Sequence, residues 1–392
     1  YIYTMNFYTN ITRWGNNLLL REVVNGQRIN QKIKYCPTLY SKVDKPTEYK
    51  TLNDEFVTPI KFQTMKEANE WVENYKNQPD LIFGNTLYQY SYLADHYPNR
   101  VDWDMEKLLI VTIDIEVACE NGFPDPEKAL EDLLSITIKN HQSKEIIVWG
   151  VGRFTTNRDD VHYVKCDNEQ HLIKQFLMFW ERNQPDIITG WNTEFFDIPY
   201  LCNRIKNLCG EDEIKRLSPY GGVSSRDIYQ MGRTHQLYDI QGIAHLDYFD
   251  LYRKFTYSAR ESYRLDHIAF VELGERKDGN PFETFREWYE KDYQSICWRL
   301  RYYPVYMAHL HHHQEKIPIM IIAPMLLLLG VYDGNQEIDR HLNFQYIQSN
   351  DAGTCCTPTA HILAVGRALW WLKALHGHRP ACYSNPALEC DQ

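Results

Sequence analysis

The chain has 392 residues, 44% hydrophobic, 14% aromatic and 24% charged, with 19 Gly and 17 Pro. That is material for two or three ordinary cores and excludes collagen-like, low-complexity and disordered classes. The net charge of -10 is uneven: residues 1–108 carry 13 basic and 13 acidic side chains, 109–296 carry 22 and 32, and 297–392 carry 7 of each. No basic footprint for coating DNA is visible in those totals. An acidic centre suits divalent cations, although solvated acidic surface is the commoner cause. The longest apolar run, Ile317 to Leu329, is 13 residues broken by Pro318 and Pro324, too short for a membrane span. Ten cysteines without regular spacing, and no secretory leader, lead us to expect reduced thiols in a cytosolic setting.

Tyr1 to Thr4 precede Met5 and read as upstream sequence. From Met5 to about Lys61 the pattern is short strands with turn signals at Gly15-Asn16 and Asn25-Gly26, which predicts a β-rich unit. A helix follows, with Thr64 and Glu67 as a capping box and Met65, Ala68, Trp71, Val72 and Tyr75 at helical spacing. Residues 1–107 are thus expected to form a small α+β domain. Leu108 to Val117 (LLIVTIDIEV) reads as a central strand, except that it holds two carboxylates. His171 to Asn183 brings Leu172, Ile173, Phe176, Leu177 and Trp180 to one helical face, Asp186 to Trp191 reads as a strand, and a helix beginning near Pro199 carries Leu201, Ile205 and Leu208. The alternation predicts an α/β domain over 108–296. After Ile296 the pattern changes: 14 of the 96 residues are charged and 8 are His, and neither helical nor strand periodicity persists.

Asp114 and Glu116 stand two apart on the expected strand, so both side chains leave the same face. Two like charges at that spacing on an apolar strand oppose each other's ionisation unless a cation compensates, and hard oxygens suit Mg2+ or Mn2+. The alternative is a solvent-facing edge strand. Asp197 stands before Ile198-Pro199, where it could cap the next helix or serve a site at that helix end.

Several motifs in order carry a resemblance: VTIDIEV and ENGFPDP (111–126), ITGWNTEFFDIPY (188–200), RIKNLCGE and KRLSP (204–219), and LDYFDLYRKF with YRLDHIA (246–269). Together they resemble family B DNA polymerases of the T4-like bacteriophage branch, from about Met5 to Ser295. The resemblance implies an N-terminal domain followed by a 3'-5' proofreading exonuclease domain of the ribonuclease-H-like fold, an α/β structure with a mixed central sheet. It also implies Asp114, Glu116 and Asp197 as catalytic ligands of two Mg2+ or Mn2+ ions that assist in-line displacement at phosphorus. Phe123 and Asn192 would contact the terminal nucleotides by stacking and hydrogen bonding; the alternatives are a loop-packing aromatic and a turn-forming Asn. The implied partners are the single-stranded 3' end of a DNA primer and phage replisome proteins, with no membrane, in the cytoplasm of an infected bacterial host.

The family's third exonuclease motif, Tyr followed four residues later by Asp, is expected just after Ser295, where the chain reads ICWRLRYYPVYMAHLHHH. No Tyr-x-x-x-Asp follows, and the palm motifs SLYPS, KxxxNSxYG and DTDS do not occur. The expectation is therefore an aberrant, poorly ordered tail over 297–392, from a frameshift, sequencing error or recombination after Ser295. Synthesis would be absent and exonuclease activity severely reduced. A zinc site from Cys355, Cys356, His361, His376, His378, Cys382 and Cys390 is the rival reading, against which stands the lack of C-x-x-C pairs. A complete nuclease would need a fourth ligand such as Asp333, Asp339 or Asp351. A catalytically silent single-strand-binding or replisome-interaction module is the alternative function.

Overall fold

The computed structural model describes residues 6–296, apart from 52, 98–100, 102, 103, 120, 121, 231, 257, 258, 275, 277 and 278, together with 347–349. The expected aberrant tail, its zinc alternative and the acids Asp333, Asp339 and Asp351 lie outside the described residues, save for 347–349. The chain divides into two compact units: the described residues within 1–36, 63–66 and 100–322, and those within 37–62, 67–99 and 323–392.

The first unit opens with strands β1 (Phe7–Trp14), β2 (Asn17–Val24) and β3 (Gln27–Lys34), an antiparallel meander in that order. Both turn signals are used. Val24 pairs with Gln27 across Asn25 (φ 52) and Gly26 (φ 79), and such two-residue hairpins favour Asn-Gly because both central residues take positive φ. The second unit holds β4 (Thr38–Lys42), β5 (Tyr49–Thr51), β6 (Phe56–Lys61), most of helix α1 (Met65–Asn74), β7 (Ile82–Phe83) and α2 (Tyr88–His96). Its sheet runs β5-β6-β4-β7. The expected helix is present as α1, with Trp71 packed on Phe62 at 5.4 Å between ring centres.

The rest of the first unit is built around a six-stranded sheet. Its elements are β8 (Ile110–Val117), β9 (Leu133–Asn140), β10 (Ile146–Gly150), β11 (Val161–Lys165), α3 (Glu169–Asn183), β12 (Ile187–Gly190), α4 (Asp197–Cys209), the hairpin β13 (Val223–Gln230) and β14 (Arg233–Ile240), β15 (Ala244–Asp247), α5 (Tyr248–Phe255), α6 (Leu265–Leu273) and α7 (Phe285–Lys291). A last short strand, β16 (Ile347–Ser349), belongs to the second unit and pairs there with β5. The large sheet has the order β11-β10-β9-β8-β12-β15, with β9 antiparallel to β8 and β10 and the remaining pairs parallel. This is the mixed α/β sheet expected of a ribonuclease-H-like exonuclease domain.

Strand alternation explains how the sheet acquires two unlike faces. Val111, Ile113, Ile115 and Val117 of β8, with Ile136 and Ile138 of β9, join one core with Leu172, Ile173, Phe176, Leu177 and Trp180 of α3 and Ile198, Leu201 and Ile205 of α4. Thr112, Asp114 and Glu116 leave the opposite face, and their partners across the ladder are Lys139, Thr137 and Ser135. Helix α3 begins two residues before the expected His171, because Asn168 caps it by accepting from the His171 N–H at 2.9 Å. Trp180 closes its far end, its indole N–H donating to the Leu217 carbonyl at 2.8 Å. Among the described residues, no helix is long and apolar enough to cross a membrane.

Candidate active site

Strand β8 lies between β9 and β12, in the middle of the sheet, so the edge-strand alternative for its two carboxylates does not hold. Asp114 is 8% exposed, while Glu116, nearer the strand end, is half-buried. Directly opposite them, the buried Thr137 and Ser135 hydroxyls find no hydrogen-bond partner among the described residues. The face is thus polar and poorly solvated.

Asp197 reaches this place through a gap in the sheet. Parallel pairing between β8 and β12 ends at Thr112 with Thr189, so the next outward amides of β8 lose their strand partner. The Ile115 N–H, on that open side, donates to Asp197 Oδ1 at 3.1 Å. Ile115 lies between Asp114 and Glu116, so the third carboxylate is seated against the strand segment that bears the other two. Asp197 is the first residue of α4 and Phe196 occupies the cap position, without a side-chain cap bond. The capping expectation therefore shifts by one residue: the Asp197 side chain bonds to β8.

Burial pushes the Asp197 carboxyl up to about 7; the Ile115 N–H pulls it down, and the neighbouring Asp247 and Glu116 raise it further. Asp247 was not among the residues singled out from the sequence. It is buried at the end of β15, pushed up to about 6 mainly by loss of solvent, and it caps α5. Its sequence signal was that of an ordinary N-cap before YFDLYRKF, which carries no hint of long-range bonds. His245, two residues earlier, is pushed down to about 4 by burial and is neutral at pH 7.

Phe123 and Asn192 flank these acids. Phe123 is 82% exposed, and its ring lies 4.9 Å from that of Phe196, next to Asp197. Asn192 does shape a turn, with φ 64, and its N–H donates to Asp247 Oδ1 at 2.9 Å. Its side-chain amide makes no hydrogen bond among the described residues, so turn-forming and ligand-facing roles are compatible.

One face of α4 binds the loop that follows β8. Arg204 donates to Glu169 through Nε at 2.7 Å and Nη2 at 2.6 Å, to the Ala129 and Leu130 carbonyls, and to Asp132. Tyr200 donates to the Glu131 carbonyl at 2.6 Å, and Asn203 and Asn207 donate to the Pro126 and Lys128 carbonyls at 2.9 Å each. Residues at i, i+3, i+4 and i+7 share a helix face, so a single stripe ties this loop to the helix that begins with Asp197.

The donor set is hard and acidic, which is chemistry that suits Mg2+ or Mn2+. The set is also open: among the described residues, no three His, Cys, Asp or Glu side chains are gathered closely enough to hold an ion as they stand.

The mixed sheet with its packed helices is the fold of a ribonuclease-H-like domain, with acids on the central strand β8 and at the start of α4. Residues 65–268 match the family model described as DNA polymerase family B, exonuclease domain, and the chain belongs to that family. It is 31% identical to the DNA-directed DNA polymerase of Enterobacteria phage T4 over 310 residues, which cover 72% of this chain and 34% of the relative. The corresponding protein of Escherichia phage RB69 is 30% identical over 311 residues, with the same coverage of 72% and 34%. The DNA polymerase delta catalytic subunit of Candida albicans is 30% identical over 202 residues, 48% of this chain and 19% of that one. The chain therefore spans about a third of the length of its phage relatives.

Proposed function

We propose that this chain is the amino-terminal part of a phage-type family B DNA polymerase, and that its site hydrolyses phosphodiesters at the single-stranded 3' end of a primer. The setting would be the cytoplasm of an infected bacterial host, with replisome proteins as further partners. One observation carries the reading: the 3.1 Å bond from the Ile115 N–H to Asp197 Oδ1, which seats a third acid beside Asp114 and Glu116. Mg2+ or Mn2+, when bound by Asp114, Glu116 and Asp197, would supply positive charge for the oxygens of the scissile phosphate. The protein's own contribution is orientation. The exposed Phe123 ring, backed by Phe196, offers a face to a terminal base, and the Asn192 amide offers donors and an acceptor.

The absence of Tyr-x-x-x-Asp after Ser295 supports a site short of one ligand and one orienting hydroxyl, and hence slow cleavage. A 5'-labelled single-stranded oligonucleotide with Mg2+ or Mn2+ tests this. We expect shortening from the 3' end at least about a hundredfold slower than with an intact polymerase of the family, abolished by Asp114→Ala or Glu116→Ala. Turnover equal to the intact enzyme would mean that another side chain supplies the missing ligand. The open acid set favours a second reading, a silent single-strand-binding or replisome-interaction module. Salt-sensitive binding that survives both substitutions, with no cleavage at all, would select it.

A further inference from the structure

Between β12 and α4 the chain makes a tight turn, residues 191–196, and much of it is gripped by the end of β15. Asp247 Oδ1 accepts the Asn192 N–H and Oδ2 accepts the Glu194 N–H, each at 2.9 Å. The same Oδ1 accepts the Phe249 N–H at 2.9 Å, which alone would suffice to cap α5. Beside it, Thr193 Oγ1 and His245 Nε2 are 2.9 Å apart. Within the turn, the Phe195 and Phe196 amides donate back to the Asn192 carbonyl at 3.3 and 3.1 Å, and the Ile198 amide to the Thr193 carbonyl at 3.0 Å. Any movement of Asn192 is thereby passed to the first turn of α4. Asn192 also holds φ 64, in the left-handed region that Asn enters more readily than most residues other than Gly.

We propose that Asp247 is a positioning residue of the hydrolytic site: it clamps the 191–196 turn so that Asn192 faces the nucleotide and Asp197 stays against β8. The functional consequence rests on the reading given under Proposed function; the clamp itself rests on geometry alone. A plain N-cap explains the Phe249 bond and leaves unexplained the two bonds to residues 55 and 53 positions earlier.

Residue-resolved amide hydrogen exchange on the full chain separates the two roles. Ser is a good N-cap but too short to reach both earlier amides, so Asp247→Ser should speed exchange at Asn192 and Glu194 about tenfold while β9 and α3 keep wild-type rates. Asp247→Asn should leave Asn192 protected and expose Glu194, because the Asn amide group opposes another N–H at Oδ2. Wild-type rates at both amides in Asp247→Ser, or an equal rise throughout the chain, would overturn the proposal. Should the Ser variant not fold, the Asn variant decides, and an unchanged Glu194 rate overturns it. Mn2+ binding followed by electron paramagnetic resonance tests the underlying reading separately. We expect weakening in Asp247→Ser and in Asp197→Ala; unaltered binding in Asp197→Ala would remove the metal reading and leave the exchange result to judge the clamp.

Discussion

Asp197 is the most deeply buried of the three acids. With its carboxyl pushed from the ordinary 3.8 to about 7, the native state keeps a proton that the unfolded chain has already lost between those pH values. Stability therefore falls as pH rises from about 4 towards 7. Asp247, pushed up to about 6, contributes in the same direction over a narrower window. Asp197→Asn keeps an acceptor for the Ile115 N–H and discards the charge. In metal-free buffer it should melt several degrees above the wild type at pH 8, the difference vanishing near pH 4, as calorimetry across that range would record. Phe123 makes the complementary case, since an 82% exposed ring contributes little to the core. Phe123→Ala should leave melting unchanged and weaken oligonucleotide binding by about 1–3 kcal/mol, measured by fluorescence anisotropy. At this scale Asp114, Glu116, Asp197, Phe123 and Asn192 are candidates that motif, spacing and resemblance single out, whereas the bonds of Asp247 cross more than fifty residues and leave no local pattern.

Helix α4 and strand β12 are the elements that set Asp197 against β8. Leu201 and Ile205 announced the buried face of α4 through their periodicity, but the polar stripe of Tyr200, Asn203, Arg204 and Asn207 resembles an ordinary solvated face. Only the packed loop turns it into a clamp. Arg204 and Glu169 are both largely buried, at 8% and 13% exposure. Arg204→Ala removes the donor to the Glu169 carboxylate and to three further acceptors; we expect a loss of about 3–5 kcal/mol in urea unfolding, with earlier proteolysis around 122–132. Gly190 ends β12 where the chain must turn. A Cβ there would meet Thr193 Cγ2 at 2.3 Å and the Ile113 carbonyl oxygen at 2.8 Å. Because the second neighbour is backbone of the central strand, Gly190→Ala should cost about 1–3 kcal/mol in the same assay and slow cleavage more than it weakens DNA binding.

The first compact unit joins strands β1–β3 to the large sheet through one buried acid. Asp186, fully buried, accepts from Arg28 Nε at 2.8 Å, the Leu109 N–H at 2.8 Å and Thr9 Oγ1 at 3.0 Å, with Arg21 Nε 3.4 Å away. Arg21 itself donates to the Gln184, Pro185 and Gly242 carbonyls. A chain shortened to begin at residue 108 would leave Asp186 without either cation, and removing one side of such a pair costs about 3–5 kcal/mol. That fragment should show no cooperative melting by circular dichroism at a temperature where the full chain is folded. By itself the sequence determined the strand–helix alternation, the two-faced central strand, the hairpin turns and which acids are candidates for the site, because periodicity, turn chemistry and side-chain type act over a few residues. Tertiary structure decided that the β12 ladder stops three residues short of Ile115, that Asp197 fills the opening, and that Asp186 and Asp247 are bonded across the fold. Those outcomes depend on where the chain returns after tens of residues, and burial and hydrogen-bond satisfaction, which select among such returns, are properties of the packed molecule.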